Sequence, residues 1–511
     1  VSYKTNNIVI VGGGSAGWMT AATLIKAFPN KKITVIESKN IPTVGVGEST
    51  VFEFADWLHF LDIDKKDFIS FTNASFKFGI GFTNFLEEKS DTFYYPFGSP
   101  NLNDTVLGLD DWVYLKSIDQ SISNKDYVDY YYPQSKCLDT NKVVLEYNEN
   151  LYPFRPDRDV VYQIDASRFG LWLAEKYAIP KGVTRIYDTI TKINGDEHGI
   201  KSVITETGLE IFADLFIDCS GFKSILLGSF MKEKFIDTKD ILPNNKAWFG
   251  PVQYTDKEKE LQTFTNCTGL KNGWVWNTPL WSRIGTGYVY SDEFIDDDGA
   301  LQEFKNHLDS KDMIIYDPDR SKKMEFRKIE IKNGYYERPW VKNVVGIGLA
   351  HGFLEPLEST GLFLIHSTLL KLVNALEREN VTSWDINGFN KVVIEMFKES
   401  FDFVALHYAL SKRDDSDYWR SITSKEYPER FYNLVPRYFG YNISCIPIGM
   451  DYRPFNFAFT KIDSFKNNKN LKKAIVMSQL IRQNKKQEWD NIINNSVSHY
   501  QYLKENYYNE I

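Results

Sequence analysis

Near the start of the chain, Gly12-Gly13-Gly14-Ser15-Ala16-Gly17 puts glycines at the first, third and sixth positions of a G-x-G-x-x-G run. That spacing suits a pyrophosphate. The first glycine makes a tight turn, the second lets phosphate oxygens approach the backbone, and the third lets the following helix pack on the preceding strand. Free amides at the helix start, around Ser15 and Ala16, then bind the anion. Glu37 follows Gly17 by 20 residues, where a carboxylate accepts hydrogen bonds from ribose hydroxyls. Far along the chain, Glu358-Ser359-Thr360-Gly361 precedes a helical pattern of Leu364, Ile365, Leu369, Leu372, Val373 and Leu376. A helix start carries unsatisfied amides and a partial positive charge, so the amides of Thr360 and Gly361 suit an anion. An ordinary N-cap at Ser359 or Thr360 is the plainer alternative. Lys77 stands among Phe76, Phe78, Ile80 and Phe82. Burial there would lower its pKa, whereas a surface lysine would reach out to water.

The elements that must hold these groups are legible. Residues 7–11 read as a buried parallel strand, the helix after the glycines carries Met19, Ala22, Leu24 and Ala27, and a second strand at residues 33–36 ends in Glu37. The glycine motif alone does not separate FAD from NAD. Residues 213–222 and 343–348, the latter ending in Gly348, read as further strands that end in glycine after long insertions. A contiguous NAD domain would not be scattered in this way.

Length and composition set bounds. The chain has 511 residues, 43% of them hydrophobic, enough for a large α/β enzyme. Aromatic residues reach 15%, mostly core by ordinary expectation. The formal charge of −8, without a basic block, argues against nucleic acid. The four cysteines form no C-x-x-C pair, which argues against a zinc site or a disulfide scaffold and fits a reducing cytoplasm. No histidine pair suggests a metal, and no apolar run has the length of a membrane span.

The returning strand plan resembles the FAD-binding monooxygenase and reductase superfamily, and several segments resemble the flavin-dependent halogenases. Gly17-Trp18 continues the glycine motif as that family does. Gly45-Val46-Gly47-Glu48-Ser49-Thr50 resembles its strap over the flavin. Lys77 falls at its catalytic lysine, Trp274-Val275-Trp276-Asn277-Thr278-Pro279 resembles its W-x-W-x-I-P signature, and residues 353–361 resemble its E-P-L-E-S-T-G segment. His407-Tyr408, Arg413 and Trp419 are similar too, so the likeness runs from about residue 6 to about residue 420. Thr278 departs from the signature isoleucine and brings a hydroxyl that needs a partner when buried.

The resemblance implies a chemistry. Reduced FAD, dioxygen and a halide (chloride, bromide or iodide) give a hypohalous species, which halogenates an electron-rich carbon of a small aromatic substrate. Gly12, Gly14, Ser15, Ala16, Gly17, Glu37, Gly47, Glu48, Ser49, Thr50 and Gly348 would hold FAD, and Thr360 and Gly361 the halide. Lys77 would carry or orient the oxidant. Glu358 would stabilise the cationic ring or remove its proton. Phe97, Tyr95, Trp274 and Trp276 would line the substrate pocket. In the tryptophan-halogenating branch a histidine and a phenylalanine sandwich the indole near here; Phe97 matches the phenylalanine, but Tyr95 replaces the histidine. With no partner set for a free amino acid identified in residues 425–511, small indoles, phenols or anilines are expected over free tryptophan. Only one dinucleotide fingerprint is visible, so a separate flavin reductase is expected. A flavin monooxygenase or reductase on the same fold is the alternative function.

The expected architecture is α/β, an FAD-binding Rossmann-like fold with an inserted substrate-side sheet. An FAD and halide module spans residues 1–385, with the inserted sheet at about 231–334. A mostly helical region follows at 386–511.

Overall fold

The computed structural model describes residues 2–40, 47–119, 121–123, 126–378, 380–428 and 469–509. Gly45 and Val46 of the strap, Cys445 and residues 429–468 lie outside the described residues.

A six-stranded sheet carries the glycine turn. Its order is Trp340–Val341, Val344–Gly346, Leu215–Asp218, Asn7–Val11, Lys32–Glu37 and Thr184–Tyr187. Every neighbouring pair is parallel except the edge pair Trp340–Val341 with Val344–Gly346. Ile8, Val9 and Ile10 are wholly buried, because helices cover one face and a further sheet the other. This accounts for the uninterrupted apolar run that marks a two-sided strand. The Ser15–Ala27 and Thr360–Leu376 helices share one core through Trp18, Met19, Ala22, Leu362, Ile365 and Leu369. Packing of these two helices against each other brings the glycine turn and the Thr360–Gly361 turn to the same end of the sheet.

A second, seven-stranded sheet runs Arg327–Glu330, Lys246–Val252, Ile284–Tyr290, Gly273–Pro279, Phe264–Leu270, Gly79–Thr83 and Phe93–Pro96. The sheet expected from residues 231–334 is therefore larger than its segment: two strands from before the insertion complete it. Gly81 makes the join possible, since a Cβ there would come within 2.8 Å of the Phe264 ring. Just before this pair, Ser75–Lys77 belongs to a small sheet with Val161–Asp165 and Gly47–Ser49. Lys77 thus sits where one sheet ends and the next begins, with Val161–Asp165 between its strand and the strap strand.

The C-terminal elements are helical. Ser383–Leu410 opens on a capping box between Thr382 and Asp385, so position 386 lies inside this helix. Lys469–Asn494 and His499–Tyr507 brace the interior from outside. Arg482, almost fully buried, donates to the carbonyls of Asn101, Asn103 and Tyr130. The Phe76 N–H donates to His499 Nε2 at 2.9 Å, while His499 Nδ1 faces the Leu261 carbonyl at 3.1 Å. Burial lowers the His499 pKa to about 4, so the ring is neutral and can accept on one nitrogen while donating from the other. The chain's end therefore secures the strand that carries Lys77.

Candidate functional site

The dinucleotide cradle is shaped by backbone. Gly12 has φ +113°, and a Cβ on it would meet the Cys219 carbonyl at 2.2 Å. A Cβ on Gly17 would lie 1.8 Å from the Gly12 oxygen, and one on Gly13 only 1.6 Å from Glu37 Oε2. Gly14 is the N-cap of its helix and makes no side-chain cap bond, which leaves first-turn amides open. Glu37 is held from two sides: the Trp18 indole N–H donates to Oε2 at 3.1 Å, and Arg185 Nε lies 2.9 Å from Oε1. The Arg185 guanidinium is layered between Trp18 and Tyr187, 4.6 and 4.9 Å from their ring centres. Gly348, at φ +65°, lets its loop pass 2.9 Å from the Ala16 methyl, measured to the position of an added Cβ. A pyrophosphate, with a ribose on Glu37, fits these donors and this clearance.

The second cluster lies at the head of the Thr360–Leu376 helix. Lys77 is fully buried and donates to the Thr50 carbonyl at 3.0 Å and to Ser359 Oγ at 2.9 Å. Ser359 is left-handed, φ 58° and ψ 32°, a conformation costing a serine roughly 1–2 kcal/mol. In that conformation its hydroxyl makes no cap bond to its own helix. The hydroxyl turns to Lys77 instead, and the helix's first amides remain uncapped. Thr360 Oγ1 is buried and has no hydrogen-bond partner among the described residues. The strap ends here as well: Ser49 Oγ lies 2.7 Å from Thr265 Oγ1, and Thr50 is tied to Tyr162 by its N–H and its hydroxyl. Glu48 Oε2 lies 3.8 Å from where a Cβ on Gly361 would stand.

An aromatic ring lies under the lysine. Its Nζ is 4.9 Å above the Phe97 ring, and Tyr95 meets Phe97 edge-on at 6.1 Å and Phe403 at 6.0 Å. Glu358 is 3% exposed and meets His407. Trp274 turns its indole N–H to Glu355 Oε2 at 3.0 Å, so its link to the site runs through that carboxyl. Trp276 is only partly buried and stands 6.3 Å from Trp274, centre to centre. The Thr278 methyl packs 3.1 Å from the Cβ position of Gly47.

Known proteins place this geometry. The tryptophan halogenase family matches residues 7–486. The chain belongs to the tryptophan halogenase family.

Tryptophan 7-halogenase RebH from Lentzea aerocolonigenes is 33% identical over 443 residues, 82% of this chain and 79% of that protein. Among solved structures, the apo structure of VirX1 superposes with a TM-score of 0.91 at 35% identity, covering 99% of this chain and 100% of that one. Xcc4156, a flavin-dependent halogenase from Xanthomonas campestris, superposes at 0.84 with 26% identity, covering 98% of both chains. The fold is the FAD-binding Rossmann-like α/β type of these enzymes. This chain is accordingly a flavin-dependent halogenase, working with reduced FAD and halide, and the monooxygenase or reductase alternative is not favoured.

Some residues of this halogenase site were not singled out by sequence reasoning. Arg185 lies on a strand paired with the Glu37 strand, 148 positions after it, and carries no motif of its own. Glu355 is wholly buried and takes hydrogen bonds from Trp274, Tyr408, Asn244 and Asn333. It fixes the turn that presents Glu358 and Ser359. Its only sequence signal was its place three residues before Glu358. Among the described residues no cluster of His, Cys, Asp and Glu could hold a metal ion, and no helix is long and apolar enough to cross a membrane.

Two groups of the halogenase should titrate near neutrality. Burial lowers the Lys77 pKa to about 7, against a smaller opposing pull from the Glu358 charge. Burial pushes the Glu48 carboxyl up to about 7. Below that pH Lys77 is an ammonium and Glu48 is neutral; above it Lys77 is a free amine and Glu48 an anion beside the helix head. At saturating halide, kcat for halogenation should therefore rise with pH through about 7, while the halide KM rises over the same range. Initial rates over a halide series at each pH from acid to alkaline separate the two. A halide KM that stays flat across neutrality rules out the Glu48 effect, and a flat kcat rules out the Lys77 effect.

Proposed function

We propose that this halogenase transfers an electrophilic halogen to a small electron-rich arene, such as an indole, phenol or aniline. Lys77 carries or orients the oxidant, and Glu358 is the base. The observation that carries this reading is the Lys77–Ser359 hydrogen bond, which joins a buried amine to the uncapped head of the helix. The amides of Thr360 and Gly361 hold the halide at that head, where the partial positive charge favours an anion. Bound FADH2 supplies the activation of dioxygen. Gly12, Gly14, Ser15, Ala16, Gly17 and Glu37 hold its dinucleotide part, with Gly348 closing the cradle. Gly47, Glu48, Ser49 and Thr50 form the described end of the strap. An amine deprotonated near neutral pH can accept halogen at nitrogen or hydrogen-bond a hypohalous acid.

The substrate side is aromatic. Phe97 lies under the lysine, Tyr95 stands edge-on to Phe97 and Phe403 packs on Tyr95; such rings offer a flat substrate contacts worth about 0.5–1.5 kcal/mol each. Trp276 extends that wall. A tyrosine rather than a histidine at position 95 favours compact arenes over free tryptophan, although RebH is a tryptophan 7-halogenase by name. FADH2 comes from a separate reductase, because the chain's dinucleotide fingerprint is taken by FAD. The enzyme works in a reducing cytoplasm, a setting consistent with three buried free thiols, Cys137, Cys219 and Cys267.

One assay tests this reading. The purified protein, FAD, NADH and each halide are combined with indole, phenol, aniline or free tryptophan, with and without a flavin reductase. Products are read by mass spectrometry. Halogenated indole or phenol only when reductase is present is expected. A strong kcat/KM preference for free tryptophan would sink the substrate proposal. Rapid NADH oxidation without reductase would sink the partner.

A further inference from the structure

Glu358 and His407 meet in the interior. Their side chains are 1% and 0% exposed, and His407 Nε2 lies 2.6 Å from Glu358 Oε1. The other ring nitrogen, Nδ1, is 3.1 Å from the Phe403 carbonyl oxygen. A carbonyl only accepts, so Nδ1 carries a proton. The Nε2–Oε1 approach is too bent for a linear hydrogen bond. Yet two bare lone pairs would repel at such a distance, so a second proton must lie between these atoms. Glu358 Oε2 is buried and has no hydrogen-bond partner among the described residues.

The arrangement is built into the fold. His407 and Tyr408 are consecutive near the end of the Ser383–Leu410 helix. Tyr408 donates to Glu355 Oε2 at 2.6 Å, so adjacent residues grip both carboxyls of the Glu355–Glu358 turn. Phe82 and Phe403 hold the imidazole, with ring centres 4.8 and 5.4 Å away. The other titratable groups that act on Glu358 are Lys77 and the buried thiol of Cys267.

We propose that His407 is a positioning residue for ring deprotonation: it holds Glu358 by Oε1 and leaves Oε2 as the base. This rests on the halogenase reading given above. Once the halogen has bonded, the attacked carbon carries both halogen and hydrogen and the ring is cationic. The C–H bond breaks, its electron pair returns to the ring, and the proton passes to Oε2. The Glu358–His407 pair gains one positive charge, which it gives up to water as the product leaves. Without the imidazole, Glu358 is a buried carboxyl with no partner, which favours its protonated form and removes the base.

The test compares single-turnover halogenation rates on indole and on ring-perdeuterated indole, or the phenol pair if the wild type does not turn over indole. The variants are His407→Phe, which keeps the ring packing, and His407→Gln, which keeps a neutral donor to Oε1. In the wild type the two isotopologues should react at nearly equal rates. His407→Phe should be slower by about tenfold or more, as for loss of a base, with deuterium now slowing it clearly. His407→Gln should recover part of the rate. A His407→Phe enzyme at the wild-type rate, or one slowed without an isotope effect, overturns the proposal. If His407→Phe does not fold, the same two outcomes are read on His407→Gln. Glu358→Gln separates the failures. If it halogenates at the wild-type rate, the base assignment itself is wrong; if it is impaired while the His407 variants show no isotope effect, only this inference falls. No wild-type turnover of indole or phenol would remove the functional reading and this inference with it.

Discussion

Lys77→Ala is expected to abolish halogenation, by roughly 10³-fold or more, while dioxygen still oxidises FADH2 on the enzyme. The two activities are separated in the structure. The proposed cradle for the dinucleotide would be made by residues 12–17, Glu37 and Gly348. Lys77 lies elsewhere, held between the Thr50 carbonyl and Ser359 Oγ with its Nζ above Phe97. Alanine removes the amine and both hydrogen bonds, and it leaves a cavity. Lys77→Met controls for the cavity, since it keeps the volume and has no proton to give. Its fold should be no less stable than the wild type, because a buried amine is costly to desolvate and a thioether is not. Stopped-flow oxidation of FADH2 at the flavin absorbance, with product measured in the same samples, checks both halves. Halogenated product from Lys77→Met at the wild-type rate would show that the amine takes no part.

What could be read beforehand follows the range of the interactions. The glycine turn was legible because its residues are dictated by their own backbone: Gly12 needs its positive φ, and Gly17 needs to lack a side chain. The strands ending near Glu37 and Gly348 were legible because burial on both faces forces a continuous apolar run. The seven-stranded sheet was only half legible. Its parallel pairing of Gly79–Thr83 with Phe264–Leu270 joins segments some 185 residues apart, and nothing in either strand names its partner. The candidate site divides in the same way. Lys77, Glu358, Thr360 and Gly361 stand in recognisable segments. Glu355 stands in the same segment as Glu358, but its role was not legible because its donors come from residues 244, 274, 333 and 408, which only the fold assembles. His499, bonded to the strand of Lys77 from 423 residues away, was invisible for that reason too. Two side chains take partners that no local pattern names. Ser359, at the N-cap, spends its hydroxyl on Lys77 and not on its own helix. Trp274, expected in the pocket lining, donates to Glu355.

Gly14→Val should abolish FAD binding and leave the fold intact, whereas Gly12→Val should damage the fold itself. The two glycines belong to one motif, but they are glycines for different reasons. Gly14 has φ −75° and ψ −171°, an extended conformation open to any residue. Valine fits that backbone, and its side chain then stands at the mouth of the Ser15–Ala27 helix, where the pyrophosphate must approach the open amides. Losing two or three charge-assisted hydrogen bonds there amounts to about 3 kcal/mol or more, which is a rise in the FAD Kd of roughly 10²-fold. Gly12 instead has φ +113°, and its Cβ would lie 2.2 Å from the Cys219 carbonyl. That contact is with backbone of the neighbouring parallel strand, so relief requires moving the sheet. Circular dichroism and thermal melting of the apo proteins, followed by flavin fluorescence titration, distinguish the cases. Gly14→Val should melt within a few degrees of the wild type and fail to quench flavin fluorescence; Gly12→Val should melt far lower or not fold. A folded Gly14→Val protein with native FAD affinity would mean that the pyrophosphate does not lie over this turn, and the cofactor would have to be placed elsewhere. The same titration on Glu37→Gln reads the ribose end, where the carboxylate that Trp18 and Arg185 hold in place is replaced by an amide that keeps its size but loses its charge.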